Sequence, residues 1–219
     1  MNRHVGILVF VTLVWGTTFP LLKSAAVTLS GVEISAIRFA FATLCMAPFL
    51  RRVPAATWRD GAILGALALV SYVTQAYGLQ YISSNRSAFL TSLNVLMVPL
   101  LGLLWGGTLS ALTLACALAA CLGIGLMSWE GGTHLLGDGA TLLCALAYAL
   151  YVIVLSQRAN EHDARQLTAT QILFMTVFAG LWVVASDASS GTLHSLNQRL
   201  LPHLWPLVYL GLIATAGML

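Results

Sequence analysis

One charge stands inside an otherwise uncharged apolar stretch: Arg38, within Ile34 to Leu50. Burying an ionised group in a bilayer costs about 2.5–3.5 kcal/mol on insertion scales, so a residue kept there has a function by default. Glu33 is a poor same-helix partner, because five residues rotate it about 140° away. Arg38 would lie about 7 Å from the nearer end of its helix, close enough to snorkel to the interface. The expected role is gating or structure, ahead of direct substrate contact. The other polar groups in apolar surroundings fall at helical spacing. Ser87, Thr91 and Asn94 recur at i, i+4 and i+7, with Pro99 freeing the carbonyl of Val95. Ser71, Gln75 and Gly78 repeat the spacing, with Tyr72 and Tyr77 alongside. Trp15 and Gly16 precede Pro20, which takes away the helical donor of the Gly16 carbonyl, and Tyr148 and Tyr151 lie one turn apart. Aromatics with polar tips beside amides and hydroxyls suit recognition of amino acids or flat organic solutes. Each is also compatible with packing. Lipid offers an Asn amide nothing, so the Asn94 face turns inward, with Ser87 read as an interhelical hydrogen bond.

Chemistry of other kinds has little to stand on. No GxxxxGK[ST] phosphate loop is present, and Lys23 is the single lysine. Glu33, Asp60, Glu130 and Asp138 fall at the ends of apolar stretches, which leaves a carboxylate proton relay without a candidate. His4, His134, His162, His194 and His203 are scattered in loops or at span ends and read as ordinary solvated residues. Cys45, Cys116, Cys121 and Cys144 lie in apolar stretches without metal or redox spacing. The expectation is no cofactor, no metal, no ATPase subunit, no nucleic acid and no enzymatic activity.

The elements that must position these groups follow from composition. The chain has 219 residues, 59% hydrophobic and 8% charged, with a mean hydropathy of +0.89. Soluble domains carry about 25% charged residues, so this is an integral membrane protein. A membrane-crossing helix needs about 20 apolar residues. Spans are expected at 5–22, 34–50, within 61–81, 87–105, 110–129, 139–157 and 166–186, with an eighth from about Leu204. The first span exceeds the roughly 7–15 residues of a signal-peptide core and is read as retained. Arg3, Arg51, Arg52, Arg59, Arg158 and Arg165 fall on one side, and Lys23, Arg86 and Arg199 on the other, which places the N-terminus in the cytoplasm. Trp58, Trp105, Trp129 and Trp205 lie near span ends, as an aromatic belt would have them. Gly61/Gly65, Gly102/Gly106 and the stripe Ala111, Ala115, Ala119, Gly123 are small-residue faces for close helix approach.

The chain also matches itself. Without a gap, the segment from Gly6 can be laid on that from Gly139, which sets Trp15 on Tyr148, Arg38 on Gln171 and Phe41 on Phe174. At a slightly larger offset, Leu64-Gly65 falls on Leu210-Gly211. Five helices separate the copies, an odd number, so the copies enter the membrane from opposite sides. Such inverted repeats carry a substrate site near the midplane. The fold expected is an all-α membrane protein, an inverted repeat of two five-helix units. Residues 5–129 make the first repeat and 137–219 an incomplete second. Ten helices are expected in the full protein, about eight of them here, the remainder needing about 60–80 further residues.

Val14-Trp15-Gly16-Thr17-Thr18-Phe19-Pro20, Arg38 in the second span, and Asn85-Arg86-Ser87-Ala88-Phe89-Leu90-Thr91-Ser92-Leu93-Asn94 leading to Pro99 resemble the drug/metabolite transporter superfamily, specifically its EamA-type members. The resemblance implies ten helices, two inverted repeats and a central cavity. It also implies a bacterial cytoplasmic-membrane exporter of amino acids, with YddG-like aromatic amino-acid exporters as relatives, or of other organic solutes. Trp15, Gly16, Tyr72, Gln75, Thr91, Asn94, Tyr148 and Tyr151 are the expected cavity residues. Pro20, Arg38 and Pro99 are the expected gating or structural residues. The expected partners are a small-molecule substrate and the lipid bilayer, with the protein a monomer.

Overall fold

The structure is a computed structural model that describes residues 3–106, 109–127, 134–190 and 193–215. Among these residues the chain is helical, with no strand. In order the helices are α1 (Arg3–Ala26), α2 (Gly31–Met46), α3 (Ala55–Tyr81), α4 (Ser84–Ser92), α5 (Asn94–Gly102), α6 (Ala111–Met127), α7 (Leu135–Arg158), α8 (Ala164–Ser190), α9 (Leu193–Leu200) and α10 (Leu204–Leu212). Five stretches are long and apolar enough to cross a membrane: Val9–Ala26, Gly31–Leu50, Ala55–Tyr81, Leu135–Glu161 and Ala164–Ser186. They correspond to the first, second, third, sixth and seventh predicted spans.

The remaining spans arrive in shorter pieces. The fourth is broken at Leu93 into α4 and α5 and ends in a 3-10 turn at Leu103–Trp105. Pro99 cannot donate to Val95, and the interruption falls about half a turn ahead of that orphaned carbonyl. The fifth is α6, with 17 residues, and the eighth begins as α10. A short amphipathic helix, α9, lies between the seventh and eighth predicted spans, where the sequence predicts no helix.

Local chemistry explains two of the helix starts. Ser30 and Glu33 form a capping box at α2: the Glu33 amide donates to Ser30 Oγ at 3.2 Å, and the Ser30 amide donates to Glu33 Oε2 at 2.7 Å. Ser83 caps α4 by accepting from the Arg86 amide at 3.1 Å. The core gathers around α3, half of whose apolar window is buried against 22% for α1. α3 packs on α7 and α8, and α2 packs on α8 and α10. The outer face is apolar instead: Leu104, Leu112, Leu126 and Leu135 are among the most exposed side chains. Lipid rather than water suits that surface.

The close helix approaches repeat across the molecule. A Cβ on Gly65 would sit 2.7 Å from the Gln171 carbonyl oxygen and 3.0 Å from Phe174 Cβ. A Cβ on Gly211 would sit 2.5 Å from the Arg38 carbonyl oxygen and 2.9 Å from Phe41 Cβ. These are the residues that the self-alignment pairs: Gly65 with Gly211, Gln171 with Arg38, Phe174 with Phe41. Thr43 and Thr176, 133 positions apart, hydrogen-bond to each other at 2.9 Å where α2 meets α8.

Some small-residue faces behave otherwise. Gly61 does lie against α8, at Thr170. Gly102, Gly106 and Gly123 have nothing within 4 Å of a would-be Cβ, so close approach is not what those glycines provide. Gly106 instead takes a left-handed turn, φ 78°, after the 3-10 turn. Gly107 and Thr108, between the fourth and fifth predicted spans, and Trp129 lie outside the described residues. Of the tryptophans, Trp205 is exposed at the start of α10. Trp58 packs edge-on against Phe174 at 5.9 Å and so serves the core more than a belt.

Candidate functional site

Seven helices bring aromatic and polar side chains to a central cavity of two adjoining lobes, about 160 Å³ and about 130 Å³. Trp15 from α1, Tyr72 from α3 and Tyr148 from α7 line both lobes. Gln75, Thr91 and Asn94 line the first, with Arg38 and Thr18. Tyr151, Phe39, Gln171, Met175 and Thr215 line the second. Of the eight residues expected at a cavity, seven therefore lie on it. Gly16 does not, and a Cβ there would meet nothing within 4 Å.

The break at Leu93 is what turns the fourth span toward this space. Asn94 opens α5 right after the interruption, and Thr91 lies in the last turn of α4. Gln75 Nε2 donates to Thr91 Oγ1 at 3.3 Å, which ties the end of α4 to α3. Ser87 is fully buried, but its hydroxyl has no hydrogen-bond partner among the described residues. It supplies small size rather than the interhelical hydrogen bond expected of it. Tyr77 is directed away from the cavity, against Tyr81 at 5.2 Å.

On the α1 side, helical structure continues through Pro20. Thr17 and Thr18 donate to the carbonyls of Val14 and Trp15 at 2.7 and 2.6 Å, holding the turn before the proline. Thr17 also meets the Tyr209 hydroxyl at 2.8 Å, joining α1 to α10. In the second lobe, Tyr148 and Tyr151 stack at 5.6 Å with an interplanar angle of 29°. The Tyr151 hydroxyl and the Gln171 side-chain amide lie within hydrogen-bond distance, the shorter approach being 3.2 Å.

Arg38 does not snorkel. It is 5% exposed, and its Nε donates to Thr215 Oγ1 at 3.0 Å. Its guanidinium lies 4.7 Å from the Tyr72 ring centroid and 5.3 Å from that of Phe39. The reason is packing: α2 lies against α8 and α10, so this face of the helix looks into the bundle.

Both ends of the bundle are tied by charge. At one end Arg199 bonds Glu33 Oε1 at 2.7 Å, and Arg86 grips Asp138 through two contacts of 2.7 Å. Lys23 donates there to the carbonyls of Leu79 and Ile82. An open hollow of about 580 Å³ lies beside Lys23, Glu33 and Arg199. It is larger than the central lobes but is lined by none of the expected cavity residues. At the other end Asp60, 1% exposed, takes Arg158 at 2.8 Å, Arg59 at 3.1 Å and His162 at 2.9 Å.

His162 is thus a buried partner and not the solvated residue the sequence implied, because the starts of α3 and α8 meet around it. Its Nδ1 lies 3.0 Å from Thr57 Oγ1, giving a hydroxyl, an imidazole and a carboxylate in series. Thr57 and Asp60 are each 1% exposed. Asp60, Glu161 and His162 have ligand atoms within 4.8 Å of one another. Asp60 already gives both oxygens to cations and the imidazole, which makes this a salt-bridge knot.

The sequence reading did not assign Gln171 or Thr215 to the cavity. Gln171 had a legible signal, as the repeat counterpart of Arg38. Thr215 follows α10 in a stretch with no periodic polar pattern.

Residues 4–129 match the model of the EamA-like transporter family. An uncharacterized transporter of Archaeoglobus fulgidus is 29% identical over 173 residues, covering 78% of this chain and 53% of that protein. The chain therefore spans about half the length of the curated relative it matches. With a multi-pass helical bundle around a central cavity and a family match over more than half its length, the chain belongs to the EamA-like transporter family.

Proposed function

We propose that this chain carries the substrate path of a secondary transporter that exports neutral and aromatic amino acids, or metabolites of similar size, by alternating access. The observation that carries this reading is the central cavity and its composition. Aromatic walls from Trp15, Tyr72 and Tyr148 stand beside the amides of Gln75 and Asn94. Such a mix of apolar surface with few placed polar groups is how small-molecule sites recognise their ligands. The two lobes together lie near the lower end of the roughly 300–1,000 Å³ that ligand pockets occupy. That size favours a small metabolite over a bulky drug, the other substrate class of this reading.

Residues 5–129 and 137–219 act in it as two inverted repeats. Trp15 and Tyr148, which correspond in the self-alignment, both line the two lobes of the cavity. The matched glycine contacts and the Thr43–Thr176 bond support a pseudo-two-fold relation. Rocking of one repeat against the other would expose the site alternately. The protein works as a monomer in a bacterial cytoplasmic membrane, N-terminus inside, with no catalytic step and no ATPase subunit.

Counterflow in proteoliposomes of the full-length protein tests this. Trans-stimulated uptake of labelled phenylalanine or leucine is expected. Flux of bulky organic solutes without any amino-acid counterflow would replace the amino-acid reading, and conduction without counterflow would replace the carrier.

A further inference from the structure

Arg38 is the one feature of the cavity that transport of an aromatic solute does not by itself require. The guanidinium has five N–H donors, and among the described residues only Nε has an acceptor, Thr215 Oγ1 at 3.0 Å. The terminal nitrogens make no hydrogen bond to a described residue, and no carboxylate among the described residues pairs with Arg38. Glu33, Asp60 and Asp138 are each committed to another cation. None of the described residues lining either lobe is acidic. A side chain 5% exposed therefore presents to the first lobe a positive charge that no carboxylate among the described residues meets. Removed from water, such a charge is costly unless an anion meets it.

We propose that Arg38 is the carboxylate-binding residue of the central cavity, and that this transporter selects substrates bearing an acid group over carboxylate-free cationic amphiphiles. The proposal rests on reading the cavity as the substrate site. Three features fit it. The rings of Tyr72 and Phe39 hold the guanidinium by cation–π contact, which fixes its position and consumes no N–H donor. Thr215 anchors Nε and thereby the plane of the fork, leaving the terminal nitrogens to a carboxylate, whose geometry they match in two parallel bonds. In the same lobe, Gln75 uses its nitrogen on Thr91, which leaves its oxygen for an ammonium donor. The apolar part of the substrate then lies against Tyr148, toward the aromatic second lobe. Arg38 so placed is an affinity and selectivity residue.

The test compares three probes with one ring and matched chains: L-phenylalanine, 3-phenylpropionate and 2-phenylethylamine. Binding to the purified full-length protein is measured by calorimetry, and phenylalanine counterflow is followed in parallel. In the wild type both acids should bind at least tenfold more tightly than the amine. Arg38→Gln should weaken both acids tenfold or more and leave the amine unchanged or tighter. Arg38→Lys, which keeps the charge and loses the fork, should fall between. Acid binding unchanged in Arg38→Gln, or amine binding equal to the acids in the wild type, overturns the proposal. Should Arg38→Gln fail to fold, the wild-type ranking and Arg38→Lys decide: acid preference weakened by lysine supports it, and any other pattern overturns it. Phenylpropionate binding lost in Arg38→Gln, without phenylalanine counterflow, would retire the amino-acid reading and keep Arg38 as the acid site. Phenylalanine counterflow that Arg38→Gln leaves intact would do the reverse.

Discussion

Tyr148 separates ring from hydroxyl in a way that mutation can read. Its ring stacks on Tyr151 and lines both lobes, while its hydroxyl makes no hydrogen bond to a described residue. Tyr148→Phe should therefore leave counterflow KM near the wild-type value. Tyr148→Ala removes the wall and should raise KM about tenfold, the equivalent of ~1.4 kcal/mol; equal effects of the two substitutions would show that the ring is not a substrate wall. Asp60 makes the opposite case, a structural residue far from the cavity. Asp60→Asn strips the acceptor charge from Arg158 and His162. Hydrogen bonds to charged groups contribute about 1.5–3 kcal/mol each, so a loss of ~2 kcal/mol is expected, visible as a lowered unfolding midpoint in detergent. An unchanged midpoint would mean the knot adds nothing. The contrast marks what single residues disclosed. Gln75 and Asn94 were legible because helical spacing and the hostility of lipid to polar groups turn them inward, and Trp15 from its place beside Gly16 and Pro20 and from the family resemblance. His162 was not, because its partner lies 102 positions away and no local pattern records that the starts of α3 and α8 meet.

Helix packing makes its own forecast. Gly65 and Gly211 each meet a backbone carbonyl closer than any Cβ tolerates, whereas Gly16 and Gly102 face open space. Gly65→Ala and Gly211→Ala should both destabilise the protein by about 1–3 kcal/mol, the usual range for overpacking. Gly16→Ala and Gly102→Ala should hold or raise stability, since alanine is the better helix former by about 1 kcal/mol. Thermal unfolding of the four variants measures this, and a loss shared by all four would remove the packing argument. Five apolar runs announced their helices because length and uniform apolarity leave few alternatives. The fourth span did not disclose its break, because Leu93 is an unremarkable apolar residue and hydropathy sums across the interruption. α9 was hidden for the reverse reason: with Arg199, His194 and Asn197 in eight residues, its low apolarity imitates a loop.

The two ends of the molecule differ in how much positive charge they offer to a membrane surface. Lys23, Arg86 and Arg199 are all engaged, by carbonyls or by Asp138 and Glu33. At the opposite end Arg51 and Arg52 are exposed, and Arg59 remains 67% exposed while touching Asp60. The charge asymmetry in the folded protein is thus steeper than a count of residues conveys, and it strengthens the argument for a cytoplasmic Arg52 end. Any carrier motion must also loosen one of these ends at a time. In the proposed carrier, the salt-bridge knot at Asp60 would close one side, and the Glu33–Arg199 and Arg86–Asp138 pairs the other. Val27 is 76% exposed beside the hollow at the Lys23 end, and Arg52 is exposed at the other end. In the full-length protein with its native cysteines replaced, Val27→Cys should react with a membrane-impermeant maleimide in intact cells. Arg52→Cys should react only after the membrane is opened. The inverse pattern would turn the molecule over and exchange the two gates, while leaving the central cavity where it is.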